Sequence, residues 1–331
     1  MPQPSYSQVH VDRPLTTIST AYIQAADAFV SDKCFPPVPV QKQSDLYFVY
    51  SKNDFQRSVA SVRAPGTESA GGGYSLSTAS YSCLPIAVHK DVDEQTRANS
   101  DDPLNADRDA TIWVSHQMLL RREIDWAGKY FTTGVWSNTD QTGVASDSPG
   151  SNEFEQWDRT GSVPVENISA RQAAILDATG FLPNCLVVSW SVYRTLKNHA
   201  EMLDRIKYNF PGAEPAKVTA QMIASVLDLD RVLVAKSVRN TSLEGNATQS
   251  VSAILGKGAL LCYCPAGPGL LVPSAGYTFA WTGLLGAGAI GARIKRIPML
   301  HLEADRIEAE MAYDQKVVAA DLGVFFDACI G

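Results

Sequence analysis

Two apolar runs, Leu-Tyr-Phe-Val-Tyr at residues 46–50 and Leu-Pro-Ile-Ala-Val at residues 84–88, decide how this sequence is interpreted. Both have the composition of β-strands. The 33 residues between them include eight serines, four glycines and five charged residues. A connection longer than about 12–15 residues is usually either functional or disordered.

Side-chain character alternates with a period of two inside this connection. The alternating positions are Phe55, Arg57, Val59, Ser61 and Arg63, followed by Tyr74, Leu76 and Thr78. The pattern predicts a two-stranded ribbon that turns at Gly71, Gly72 and Gly73. Because an isolated ribbon is marginally stable in water, it has to pack on another surface. If its own chain does not provide that surface, a second copy does, which is the first indication of an assembly protein.

The composition excludes several classes of protein. With 331 residues and 45% hydrophobic content, the chain can form two domains or one large domain, and 19% charged residues exclude a disordered chain. A net charge of -7 argues against a dedicated nucleic-acid-binding protein but allows a local contact. The six scattered cysteines indicate reduced thiols. Without a signal segment or an apolar run of about 18 residues, we expect a cytosolic protein without a membrane partner.

The remaining periodicity divides the chain into an arm, a long helix and an α/β portion. Residues 1–45 are proline-rich, with a short helix predicted at 21–30, and the longest helix is predicted at about 107–131. Further helices are predicted at 169–179, 192–199 and 220–227, the first ending at Gly180 and the last opened by Thr219. Strands are predicted at 186–188, 231–235, 259–263, 277–281, 307–313 and 324–326, with a turn at Asp314 and Gln315.

The order of these parts resembles the tailed-bacteriophage major capsid protein with the Hong Kong 97-type fold. The similar stretches are residues 182–207, 219–236, 256–265, 276–281 and 305–318. The resemblance implies an α+β fold with four parts: an N-terminal arm at 1–45, an extended β-ribbon loop at 46–89, a peripheral domain at 90–165 and 293–318 that contains the spine helix, and an axial α/β domain at 166–292 and 319–331.

The same resemblance implies a structural, non-enzymatic function without a cofactor. The expected protein self-assembles into the hexamers and pentamers of an icosahedral head, is assembled in the host cytoplasm, and encloses double-stranded DNA that it contacts non-specifically. The short arm predicts a separate scaffolding protein, besides a portal and, as an option, a decoration protein. Lys52 is the only lysine in the loop and residues 293–331 contain no Asn, so we expect no isopeptide crosslink.

Candidate contact residues follow from the same assignment. In the extended loop they are Arg57, Arg63, Glu68, Gly71, Gly72, Gly73 and Tyr74. Arg121 and Arg122 are predicted on the exposed face of the spine helix, where they could meet scaffold or DNA. The alternative for each charged residue is a solvated surface.

Two motifs suggest other chemistry. Residues 286–291 form a GxGxxG, with Gly286, Gly288 and Gly291, but Pro298 interrupts the helix that a dinucleotide site needs, so we expect a close-packed axial-domain loop. Cys262 and Cys264 face one side of a strand but show no partner pair for a zinc site, which favours buried apolar thiols. The alternatives left open are an encapsulin-type nanocompartment shell and, less favoured, a nucleotide-dependent enzyme.

Overall fold

The computed structural model of the chain describes residues 23–100, 104–209, 218–246, 248–269, 271–285 and 293–331. Its strands are β1 Pro37–Val40, β2 Ser44–Tyr50, β3 Leu76–Ser82, β4 Leu84–Asp93, β5 Gln141–Val144, β6 Glu153–Glu155, β7 Cys185–Ser189, β8 Arg231–Ala235, β9 Val238–Asn240, β10 Val251–Ala253, β11 Ala259–Cys262, β12 Gly276–Trp281, β13 Arg293–Met299, β14 Ala304–Val317 and β15 Gly323–Asp327. Its helices are α1 Ser31–Cys34, α2 Lys52–Gln56, α3 Glu94–Asn99, α4 Ala106–Tyr130, α5 Pro164–Thr179, α6 Trp190–Asn198, α7 Ala200–Asn209, α8 Ala220–Val226 and α9 Thr282–Leu285.

The spine helix is α4, and its bounds agree with the sequence prediction to within one residue. It begins at a capping residue, Asn105, whose side-chain oxygen accepts a hydrogen bond from the backbone N–H of Arg108 at 2.9 Å. Ile112, an apolar residue of this helix, does not lie on its buried face and is 39% exposed. Side chains are buried instead at a four-residue spacing, at positions 110, 114, 118, 122, 126 and 130.

The first half of the spine helix packs on a five-stranded sheet. In that sheet β14 is paired with β4, β12 and β13, and β1 extends the sheet beyond β12. Strand β4 follows β14 in antiparallel register from Ala304 opposite Asp93 to Tyr313 opposite Leu84. Helix residues Ala110, Val114 and Met118 form one apolar cluster with side chains of β14. The helix therefore fixes the sheet from which the ribbon leaves.

The predicted turn at Asp314 and Gln315 is wrong, because β14 is one strand of 14 residues. Both polar side chains are buried in the sheet. The carboxylate of Asp314 accepts hydrogen bonds from Lys129 Nζ at 2.8 Å and from the backbone N–H of Ser82 at 2.9 Å. The carboxylate of Asp314, which suggests a turn in the sequence, is thus satisfied by neighbouring elements within the strand, and Gln315 Nε2 donates to the backbone oxygen of Arg122 at 3.4 Å.

The α/β portion is built on a six-stranded sheet in the order β6-β5-β15-β11-β7-β8. Successive residues of its central strands alternate between two apolar clusters, since Leu186 and Val188 belong to one and Cys185 and Val187 to the other. Helices α5 to α8 contribute to the first cluster, and the second half of the spine helix contributes Trp126 and Tyr130 to the second. The sheet is therefore covered on both faces.

Two helix boundaries of the α/β portion lie where the sequence predicts, whereas α5 and α6 begin earlier than predicted and α7 was not predicted. Gly180 terminates α5 in the left-handed region with φ 78°, a conformation that favours glycine. The hydroxyl of Thr219 accepts a hydrogen bond from the backbone N–H of Met222 at 3.3 Å and opens α8. None of the helices in the described ranges has the length and apolar character needed to cross a bilayer.

The arm is fixed to the spine helix by a buried carboxylate. The helix predicted at 21–30 is wrong for its described part, which contains only a 3-10 turn at Ala26–Ala28, while residues 21–22 lie outside the described ranges. Glu123 is fully buried and accepts hydrogen bonds from the backbone N–H groups of Val30 and Ser31, the shortest at 2.9 Å, and from Ser237 Oγ at 3.2 Å. Burial raises the pKa of this carboxyl, while those hydrogen bonds oppose the rise.

We expect Glu123→Ala to lower the free energy of unfolding by about 1–3 kcal/mol, because it leaves buried donors of the arm and of Ser237 without an acceptor. Denaturant titration followed by tryptophan fluorescence measures the difference. Glu244→Ala removes an exposed carboxylate and is the matched control. Equal stability of the two variants would contradict the role of Glu123 as the anchor of the arm.

Candidate assembly surface

The stem of the extended loop is the antiparallel pair β2–β3, which runs from Ser44 opposite Ser82 to Tyr50 opposite Leu76. One face of this ribbon packs on the chain, since the rings of Tyr47 and Tyr81 lie 5.3 and 4.7 Å from the ring of Phe279. The opposite face is uncovered, and large apolar side chains lie on it beside Thr78 and Ser80. It carries Leu46, Phe48 and Leu76, of which Phe48 is 66% exposed. An exposed face with several large apolar side chains is typical of an interface rather than of a solvated surface.

Beyond the β2–β3 stem, the predicted two-stranded ribbon does not form. The alternation at positions 55–63 does not form a strand, because Lys52–Gln56 is the helix α2 and residues 57–75 are neither helix nor strand. The strand that would have to pair with it, β3, is paired with β2 instead, from Ser44 opposite Ser82 to Tyr50 opposite Leu76. The loop is closed at its base instead, where Asp54 Oδ2 accepts hydrogen bonds from the backbone N–H and the hydroxyl of Ser75 at 2.8 and 2.6 Å.

The predicted contact residues of the loop are exposed to solvent. All residues from Arg57 to Ser75 are exposed, a range that includes Arg63, Glu68, the three glycines and Tyr74. Arg63 Nε donates a hydrogen bond to the backbone oxygen of Thr67 within the loop. At Gly72 an added Cβ would lie 2.8 Å from Val59 Cγ2, so the returning chain passes close to Val59 at this point.

Sequence reasoning missed an aromatic cluster at the base of the loop. The rings of Tyr50, Phe55 and Tyr74 lie 5.7 to 5.9 Å apart by their centroids, yet Phe55 is 59% and Tyr74 66% exposed. Phe55 and Tyr74 both belong to the alternating pattern of the sequence. The signal that could have found the cluster is the presence of aromatic residues at both ends of an otherwise polar segment.

The base of the loop is held on the body of its own chain. Lys52 Nζ lies 2.6 Å from Asp321 Oδ2, and Gln56 Nε2 donates to the backbone oxygen of Thr179 at 2.9 Å. Both contacts precede the exposed segment. The chain therefore fixes where the loop starts and leaves residues 57–75 extending from it.

The two arginines predicted on the exposed face of the spine helix have different environments. Arg121 is exposed, contacts Asp125 Oδ2 through Nε at 3.0 Å, and lines an open groove of about 790 Å³ beside β9 and β10. The prediction for Arg122 is wrong, since this residue is buried and its guanidinium contacts the carboxylate of Asp32 in the arm. It occupies the four-residue row that faces the interior, which its charge concealed in the sequence.

The two remaining motifs have separate outcomes. Gly286, Gly288 and Gly291 of the predicted axial-domain loop lie outside the described residues. Cys262 and Cys264 are buried as expected, but the interpretation that they lack a partner pair is wrong. The sulfur atoms of Cys34, Cys185, Cys262 and Cys264 all lie within 4.8 Å of one another.

The chain shares its fold with phage capsid proteins of known structure. A phage-related protein from Bordetella bronchiseptica RB50 is 19% identical, with a TM-score of 0.66 over 92% of this chain and 93% of that chain. The capsid of the cyanophage P-SCSP1u is 10% identical, with a TM-score of 0.59 over 95% of this chain and 91% of that chain. The mature capsid of bacteriophage PhiM1 is 13% identical, with a TM-score of 0.58 over 97% and 92%. This chain has a phage capsid fold.

That finding confirms the predicted α+β fold of the Hong Kong 97 type. No family model matches the chain. A curated relative, the major capsid protein of Burkholderia phage BcepMu, is 28% identical over 134 residues. The match covers 39% of this chain and 41% of the relative, so it spans less than half of the length of either protein.

We expect trypsin to cleave the free chain early after Arg57 and Arg63, because both lie in an exposed segment without helix or strand. Mass spectrometry of a short digest identifies the new ends. The Arg57→Gln/Arg63→Gln variant is the control and should lose both fragments. If the first cuts in the described ranges fell inside helices or strands while these bonds stayed intact, the exposure of the loop would be contradicted.

Proposed function

We propose that this chain is a major capsid protein that self-assembles into the hexamers and pentamers of an icosahedral phage head around double-stranded DNA. The observation that carries the proposal is the extended loop, which presents an uncovered apolar stem and an exposed aromatic cluster on a chain with a capsid fold. The similarity to the BcepMu major capsid protein supports it.

The magnitudes favour the aromatic side chains over the charged ones as the source of assembly energy. Burying a Phe-sized side chain contributes about 1.5–3 kcal/mol, whereas an exposed ion pair contributes about 0–1 kcal/mol. Phe55, Tyr74 and Phe48 together would therefore outweigh the contacts of Arg57, Arg63 and Glu68. In this proposal the charges select the partner and the register, and the rings provide the affinity.

The loop at residues 46–89 would lie across a neighbouring subunit, which covers the face that its own chain leaves exposed. The division into an N-terminal arm at 1–45, a peripheral domain at 90–165 and 293–318, and an axial domain at 166–292 and 319–331 is part of the same proposal. Each copy would give and receive one loop, so that individually weak contacts add up over a closed shell.

The other proposed partners and the location are those expected from the sequence. We propose a separate scaffolding protein and a portal, with a decoration protein as an option, and assembly in the host cytoplasm into the virion capsid. With a net charge of -7 the chain does not neutralise phosphates overall, so contact with packaged DNA would be non-specific and local. The role is structural, and the interfaces rather than a reaction centre perform it.

The loop provides a direct test. We expect Phe55→Ser/Tyr74→Ser to prevent assembly into closed shells, because it removes the exposed rings of the cluster. The unfolding free energy of the unassembled chain should change by less than about 0.5 kcal/mol, as for other surface substitutions. Negative-stain microscopy and sedimentation velocity, with the chain alone and with a candidate scaffolding protein, measure assembly.

Leu243→Ser is the matched control, because Leu243 is 80% exposed but lies outside the loop. This variant should assemble as the unchanged protein does. Shells formed by the double variant at the same yield would contradict the role of the loop. An unchanged chain that stays monomeric at high concentration, with and without scaffold, would contradict the proposed function itself.

A further inference from the structure

Four buried cysteines meet between the arm and the six-stranded sheet. They are Cys34 at the end of α1, Cys185 at the start of β7, Cys262 at the end of β11, and Cys264 two residues further on. Their sulfur atoms all lie within 4.8 Å of one another, and the Cys34 and Cys262 sulfurs are 4.0 Å apart. All four are free thiols.

The fold explains how residues so far apart in the sequence come together. Cys185 and Cys262 are directly opposite in the antiparallel pair β7–β11, so their side chains lie on the same face of the sheet. Cys264 follows Cys262 by two positions and shares that face. The arm contributes Cys34, and the backbone N–H groups of Val30 and Ser31 in the same arm donate hydrogen bonds to Glu123.

The spacing of the sulfurs fits a tetrahedral metal ion. At a Zn–S distance of about 2.3 Å, the sulfurs of a regular tetrahedron are about 3.8 Å apart. The cluster needs only small side-chain movements to reach that geometry. Four thiolates without a water position make a closed, structural type of site, and soft sulfur ligands select zinc over calcium or magnesium.

The surroundings are suited to the charge that such a site carries. When a zinc ion replaces the protons of four thiols, the complex has a net charge of -2. Arg231, which lies beside Cys185 in the β7–β8 register, places its guanidinium nitrogen 2.8 Å from Cys264 Sγ and donates to the Cys34 backbone oxygen at 3.1 Å. Its positive charge offsets part of the thiolate charge.

The backbone of Cys264 is also fixed. Its N–H donates to Asn184 Oδ1 at 2.9 Å, and Asn184 Nδ2 donates back to the Cys264 carbonyl oxygen at 2.9 Å.

We propose that Cys34, Cys185, Cys262 and Cys264 bind one zinc ion per chain. The ion joins the arm to the α/β sheet, because one of its four ligands comes from the arm and three come from the sheet and its adjoining residue. The site is independent of the proposed shell function, and it would serve as a structural crosslink in a chain whose thiols are kept reduced.

The test uses the full chain, purified without chelator. Elemental analysis should find one zinc per chain, and a mercurial that caps thiols should release it to a chromogenic zinc indicator. After removal of zinc, Co²⁺ should give the sulfur-to-cobalt charge-transfer absorption and the visible bands of a tetrahedral tetrathiolate site. This second measurement needs no variant and is unaffected by loss of folding in a mutant.

Cys262→Ser/Cys264→Ser should lose the zinc and the cobalt bands. Cys83→Ser and Cys329→Ser are matched controls, because both remove buried thiols outside the cluster and should keep one zinc per chain. Circular dichroism verifies that each variant is folded. The proposal is overturned if the unchanged chain binds neither Zn²⁺ nor Co²⁺, if it carries iron in place of zinc, or if zinc persists in the double variant.

Discussion

The spine helix is the element on which the rest of the structure depends, because one row of side chains along it supports two sheets. Ala110, Val114 and Met118 pack on the five-stranded sheet, while Trp126 and Tyr130 complete the core under the six-stranded sheet. The hydroxyl of Tyr130 also donates to the backbone oxygen of Tyr277 in the first sheet at 3.0 Å. The sheets are thus held in one arrangement, and the bases of the arm and the loop are positioned with them.

Two buried charged side chains of the spine helix determine how the arm lies. Burying Arg122 and Glu123 is unfavourable in itself, since each loses hydration. Apolar contacts alone would not fix one position of the arm along the helix, whereas the carboxylate of Glu123 accepts from the N–H groups of Val30 and Ser31 in the arm, and Arg122 contacts Asp32. The polar contacts therefore fix the register, and the register brings Cys34 to the other three cysteines.

The sequence predicted the elements that carry their own periodicity and missed those that depend on distant partners. The spine helix, the helix end at Gly180 and the strands β7, β8, β11 and β15 follow from local pattern and capping, whereas β5 and β6 were not predicted. The alternation at 55–63 misled because strand pairing needs an opposite strand, and Asp314 suggested a turn because Lys129 and Ser82 are remote in the chain. For the same reason the thiols of Cys34 and Cys185 could not be assigned as partners of Cys262.

Two opposing effects determine how readily the extended loop binds a partner. Exposed rings favour association, but an unanchored segment would lose much conformational entropy when it binds, about 1–2 kcal/mol for each backbone residue that becomes ordered. The β2–β3 stem, the closure of Asp54 on Ser75 and the contact of Lys52 with Asp321 already order both ends of the segment. Phe55 and Tyr74 lie at those ordered ends, so a partner can bury their rings without having to order the residues between them. A chain that orders the base of the loop and leaves its aromatic rings exposed is therefore suited to bind a second copy.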